Sequence, residues 1–193
     1  MKLLFFFIPL ISLTISSNAQ VIQERVQNQV KILKQAKIDT FLIYTLTCNG
    51  RIPAIDSCSS EDPQYLFWIQ NGNPFVQEFD YCTNQSLLAL DSINPISFYL
   101  ANKIKIDKEK VKPPTYIKSK NDTFSLVINH DCFNEICFQI QNKILLKKVS
   151  EYNLNFEKFD SGQKNIYYNY NQSTKLKELI DIINNSLSKV DKK

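Results

Sequence analysis

Glycine is nearly missing from this chain of 193 residues, where only Gly50, Gly72 and Gly162 occur. Phosphate-cradling loops of the Rossmann or P-loop kind need several closely spaced glycines, because the backbone must turn sharply while approaching the phosphates. Nucleotide sites of those kinds are therefore excluded, and no cofactor is expected. Histidine is scarcer still, with His130 alone. One His and five scattered Cys supply no four-ligand set of recognisable spacing, since Cys132 and Cys137 have no matching second pair. No long apolar run follows residue 19, so no membrane span is expected in the mature chain. A charge excess is lacking too: 23 basic and 19 acidic residues are interspersed over most of the chain, which gives no reason to invoke nucleic acid.

Asn, Lys and Ile are plentiful, a bias typical of AT-rich coding. The start of the chain carries an address. Residues 1–19 read as a secretory signal peptide, with Lys2 as the positive start, an apolar stretch over 3–15, and small residues at Ser17 and Ala19 beside a cleavage point. The stretch is interrupted by Pro9 and falls short of the roughly 20 residues that span a bilayer. Cleavage would leave residues 20–193 as a single exported domain, long enough for one real core and placed in the periplasm or secreted.

An exported chain meets an oxidising compartment, so disulfides are the default for its cysteines. Spacing favours Cys48 with Cys58 and Cys132 with Cys137, each closing a short loop. Cys82 is then the unpaired thiol, either buried or joining two copies in a disulfide-linked dimer. A shuffle among Cys48, Cys58 and Cys82 fits the spacing nearly as well.

The clearest structural signal is Asn71-Gly72 between two aromatic arms, YLFWI and PFVQEF, which reads as a two-residue β-hairpin. That turn sets Trp68 opposite Phe75 and Phe67 opposite Val76. Leu66, Trp68, Phe75 and Phe79 then share one face, and Phe67, Ile69, Val76 and Glu78 the other. Pro74 opposes Ile69 with its missing N–H turned away from the partner strand. The Trp68–Phe75 pair is either an interaction surface or, beneath a covering helix, the floor of the core. The second reading agrees with the rest of the chain, because two amphipathic helices need a surface to cover.

The first of these helices spans 21–37, with Ile22, Val26, Val30 and Leu33 on one stripe, and the second carries Leu176, Leu179, Ile180, Ile183, Leu187 and Val190 behind a Ser173 or Thr174 cap. Between them, FLIYTLT over 41–47 reads as a strand, and Asn94-Pro95 opens a helix through Phe98, Leu100, Ala101 and Ile104. The Lys-rich block 103–120 reads as an exposed connection stopped by Pro113-Pro114. Residues 123–129 and 136–141 suggest a second hairpin whose turn carries His130 and Cys132, and 166–168 a short strand. The order gives an α+β fold: an antiparallel sheet with N-terminal and C-terminal amphipathic helices packed on one face, stapled by disulfides.

Chemistry is sparse. In extended backbone His130 and Cys132 project to one side, the minimum for an activated thiol, but oxidation of Cys132 competes directly. Asp56, Glu61, Asp62, Glu78, Asp80, Asp131 and Glu135 are the carboxylates from which a glycosidase pair would be drawn, and no spacing selects two of them. The Lys block would suit an acidic partner, although such runs are more often solvated surface. Sequons begin at Asn84, Asn121, Asn171 and Asn184. The expectation is an exported, non-catalytic binding or interaction protein, in a concrete form an inhibitor or immunity-type protein, whose partner is another protein or an envelope component. The alternative is a small secreted hydrolase using carboxylates or a Cys/His pair at His130.

Overall fold

The structure, a computed structural model, describes residues 17–50, 63–80, 87–90 and 94–188, with side chains from Gln23 onward. The elements in chain order are α1 (Ser17–Gln35), β1 (Thr40–Cys48), β2 (Gln64–Gln70), β3 (Asn73–Phe79), β4 (Leu87–Ala89), α2 (Pro95–Lys108), β5 (Thr115–Ser119), β6 (Asp122–Ser125), β7 (Cys132–Ile140), β8 (Lys143–Ser150), α3 (Glu151–Asn155), α4 (Tyr168–Gln172) and α5 (Lys175–Leu187). Six strands form an antiparallel sheet in the order β4-β3-β2-β1-β7-β8, and β5 and β6 form a separate ribbon. The α+β class read from the sequence is the class observed. Among the described residues no helix is long and apolar enough to cross a membrane. The expected signal sequence lies almost wholly outside the described residues; its last residues, Ser17 to Ala19, begin α1.

The central hairpin forms in the expected register, with Trp68 opposite Phe75, Phe67 opposite Val76 and Ile69 opposite Pro74. Asn71 (φ 53°) and Gly72 (φ 80°) both occupy the left-handed region that such a two-residue turn demands. The Pro74 carbonyl accepts from the Leu90 N–H at 2.9 Å, so the side of Pro74 lacking an N–H faces the short strand β4 and costs the β2 ladder nothing.

The helices differ from expectation in one respect: they do not share a face. Val26, Val30 and Leu33 of α1 pack on Phe41, Leu66, Trp68 and Phe79. On the opposite face, Leu42, Tyr44, Phe67, Val76, Ile136 and Phe138 meet α2 and α5, the latter through Leu176, Leu179, Ile180 and Ile183. The period-2 alternation of a strand explains this, because β1 and β2 are apolar on both faces and each face needs its own cover. The turn after α1 fixes its seating. Lys37 (φ 62°) is left-handed, its N–H bonds the Lys34 carbonyl, and the Ile38 N–H reaches back to Leu33, which is a Schellman closure with Ile38 and Leu33 in one apolar cluster.

Two further expectations fail. The hairpin of 123–129 with 136–141 does not exist: β6 pairs with β5, and β7 pairs with β1 on one side and β8 on the other. Asn134 and Glu135 look like turn residues, yet the strand runs through them because Asn134 is fully buried and accepts the Tyr44 hydroxyl at 2.7 Å. The chain turns instead at Gln141, φ 53°. The short strand expected at 166–168 does not form: residues 166–167 turn and lead into the short helix α4. Its anchor is buried Asn171, whose amide donates to the carbonyls of Lys112 and Asn153 while its oxygen accepts the Lys112 N–H. Both N-caps read from the sequence are present, Asn94 accepting from Ile96 and Thr174 from Lys177. Only α2 faces differently: Ile96, Tyr99 and Ile106 are buried, and Ile104 is 74 % exposed.

Candidate interaction surface

The cysteines bond otherwise than spacing suggested. Cys48 is joined to Cys132, across the β1–β7 pair, and Cys137 is a free thiol. The pairings Cys48–Cys58 and Cys132–Cys137 are thereby replaced, because sheet register brings together two ends that are 84 residues apart. Cys58 and Cys82 lie outside the described residues. Cys132 is consequently not free to act as a nucleophile with His130, which is exposed and stands over Gly50.

Of the described carboxylates, Asp131, Glu135 and Glu78 have side-chain partners, whereas the buried Oδ1 of Asp80 meets none among the described residues. Asp131 accepts from the Ser150 hydroxyl and from the Tyr152 N–H at 3.1 Å, closing the junction between β8 and α3. Glu135 pairs with Lys148 at 2.6 Å, Glu78 accepts the Tyr65 hydroxyl at 3.3 Å, and the backbone carbonyl of Asp80 accepts Arg25. Asp56, Glu61 and Asp62 lie outside the described residues. Among the described residues no three His, Cys, Asp or Glu side chains gather as metal ligands would. The Lys block is also less free than its sequence suggests: Lys103 pairs with Asp107, and Lys112 sits over the rings of Tyr167 (4.4 Å) and Tyr170 (5.0 Å).

Trp68 and Phe75, the residues marked for an interaction surface, stack at 5.6 Å beneath α1, and Trp68 is 3 % exposed. They belong to the core, where a helix stripe removes them from water. The uncovered surface lies beside them. A single helix, about 10 Å wide, covers roughly two strands spaced 4.8 Å apart. α1 occupies the β1–β3 half, and among the described residues no helix lies over the same face of β7 and β8. A groove of about 550 Å³ results, walled by Gln23, Val26 and Gln27 of α1 and floored by Ile43, Thr45, Cys137 and Leu146. Ile144 and Leu146 extend this floor to the sheet edge, 65 % and 72 % exposed. Past the end of α1 a smaller hollow carries Lys34 and Lys37 against a single acidic residue, Asp39.

Burial raises the Cys137 thiol above the usual cysteine value. The thiolate is the reactive form, so this group is protonated and slow at neutral pH. Alkylation of Cys137 at pH 8 is expected to be several-fold slower in the native protein than in the urea-unfolded chain, with the gap narrowing as pH rises. Mass-spectrometric timing of iodoacetamide labelling measures it, and equal rates at pH 8 would show an open, solvated thiol.

Sequence reading passed over this surface because Ile144 and Leu146 alternate with Lys and Leu in a pattern that fixes a strand but not which face a helix reaches. The chain matches no protein-family model, no curated protein and no solved structure.

Proposed function

We propose that the protein is an exported, non-catalytic interaction protein that works outside the cytoplasm by seating a protein partner in the groove between α1 and the β7–β8 half of the sheet. The observation that carries this reading is the groove itself, with Ile43, Cys137 and Leu146 on a floor crossed by Thr45 and the Glu135–Lys148 pair, Gln23 and Gln27 on its wall, and a separate basic hollow at the other end of α1. Such a floor suits an apolar ridge on the partner, and Lys34 and Lys37 suit an acidic group beside it. The Cys48–Cys132 bond accords with an oxidising compartment, and the expected signal sequence accords with export. An inhibitor or immunity-type protein, blocking an enzyme or toxin in the periplasm or medium, is the concrete form of this role.

The test places a photo-activated cross-linker at Gln27, on the groove wall, or at Ile104, on the far side of the molecule, and irradiates the protein in the extracellular and envelope fractions of its host. One saturable adduct from position 27, abolished by Thr45→Arg in the groove and weakened by salt, is expected. Equal labelling from both positions, or indifference to Thr45→Arg, would overturn the reading, as would turnover of ester, peptide or glycoside substrates that follows Glu135→Gln.

A further inference from the structure

We infer that the protein self-associates through the open edge of β8, pairing it antiparallel with β8 of a second copy about a two-fold axis at Leu146. This goes beyond the groove and does not depend on it. β8 is the last strand of the six-stranded sheet, and among the described residues no backbone group is hydrogen-bonded to its outer side. The other edge, β4, is only three residues long.

Sheet edges in monomeric proteins are commonly blocked by proline, a bulge, a covering segment or lysines standing off the edge. β8 has no proline, and its register with β7 runs without a break from Lys143 opposite Ile140 to Ser150 opposite Phe133. Two of its three lysines are drawn toward neighbouring elements, and the third, Lys143, stands exposed at the start of the strand. Lys148 binds Glu135 and lies over the Phe133 ring at 4.5 Å, and Lys147 donates to the carbonyls of Asp107 (2.8 Å) and Glu109 (3.2 Å). What stands at the edge is Ile144 and Leu146, mostly exposed.

The register follows from the ladder. Ile140 and Lys143 flank the two-residue turn and exchange its closing hydrogen bonds, so Lys143, Leu145, Lys147 and Val149 point their backbone groups at β7. Ile144, Leu146, Lys148 and Ser150 therefore point theirs outward, and a second strand must pair with these. Two symmetric registers give the longest overlap. An axis at Lys147 sets that lysine against the partner's Lys147. An axis at Leu146 runs from Lys143 to Val149 and sets Leu146 against the partner's Leu146, Ile144 against the partner's Lys148, and Lys143 against the partner's Val149, with no lysine opposite a lysine. Like charges directly opposite destabilise a pair, so the second register is selected. In this arrangement the two grooves lie on one face and join across the axis into a trough flanked by both α1 helices.

A strand pair of this length falls in the small-interface class, below about 1,200 Å², so association is expected at about 1–100 µM. Sedimentation of the mature protein over that range should show a monomer–dimer equilibrium, and Leu146→Lys, which sets two ammonium groups together at the axis, should weaken it at least about tenfold. The register is read by Leu146→Cys in a Cys137→Ser background, because Cys137 is the cross-strand neighbour of Leu146 within the chain. Oxidation should link position 146 to position 146 of the partner subunit, identified as a peptide pair, while Ile144→Cys and Lys147→Cys in the same background stay unlinked. A monomer at about 100 µM that forms no 146–146 link would overturn the inference. Indiscriminate linking at all three positions, or a dimer insensitive to Leu146→Lys, would do so equally.

Discussion

Replacing both Cys48 and Cys132 by serine is expected to lower the stability of the fold by about 3–5 kcal/mol. The bond closes a loop with a sequence separation of 84 residues, for which the chain-entropy account gives roughly 4–5 kcal/mol of unfolded-state entropy removed, and native disulfides of exported domains fall in the same range. The position adds a second effect. β1 and β7 pair from Thr40–Ile140 to Cys48–Cys132, and this pairing joins the hairpin half of the sheet to the β7–β8 half. A slip of one residue would turn Leu42 and Tyr44 out of the α2–α5 core and Phe41 out of the α1 core together. The bond fixes the register at one end, against closure of a long loop at the other. Urea unfolding followed by Trp68 fluorescence, Trp68 being the only tryptophan, should show the midpoint falling by roughly 1–3 M, with the slope rising somewhat because the denatured chain without the cross-link is less compact. A shift under about 0.3 M would show that register and stability are set without the bond.

Trp68→Asp is expected to unfold the protein outright. Removing a buried Trp costs about 3–5 kcal/mol, and the carboxylate brings a desolvation cost that nothing beneath α1 repays, because its neighbours there are Val30, Leu33, Phe41 and Leu66. Together these approach the whole stability of a typical domain, about 5–15 kcal/mol. Trp68→Phe keeps most of the apolar volume and the ring against Phe75 and should cost only about 1–2 kcal/mol. Circular dichroism of the two variants separates the cases. A folded, cooperative Trp68→Asp protein would mean that α1 does not cover the hairpin and that Trp68 is surface after all.

These two sites show opposite sides of what a sequence carries. The hairpin was legible down to its register, because Asn71-Gly72 fixes a two-residue turn by backbone sterics alone, and a fixed turn dictates every pair up the arms. The caps at Asn94 and Thr174 were legible for the same reason: a short polar side chain beside a helix start satisfies backbone N–H groups within three residues of itself. The disulfide was not legible. Nearness in sequence pointed to Cys132 with Cys137, yet a strand sends those side chains to opposite faces, and β1 brings Cys48 to Cys132 from far along the chain. Asn134 and Asn171 were opaque for a related reason. Their amides read as turn and sequon chemistry, and in the fold they are buried and hydrogen-bonded to residues distant in sequence, Tyr44 in one case and Lys112 in the other.

What the sequence determined by itself is what local physics can impose: the hairpin and its register, the apolar stripes of the terminal helices, the N-caps at Asn94 and Thr174, the α+β class, and the lack of glycine-rich phosphate loops. What only the tertiary structure decided is which face each helix covers, which cysteines meet, and which apolar residues stay uncovered. These depend on pairing β1 with β7 and on one helix being too narrow to cover a six-stranded sheet. The groove beside α1 and the open edge at Leu146 are what that mismatch leaves on the surface.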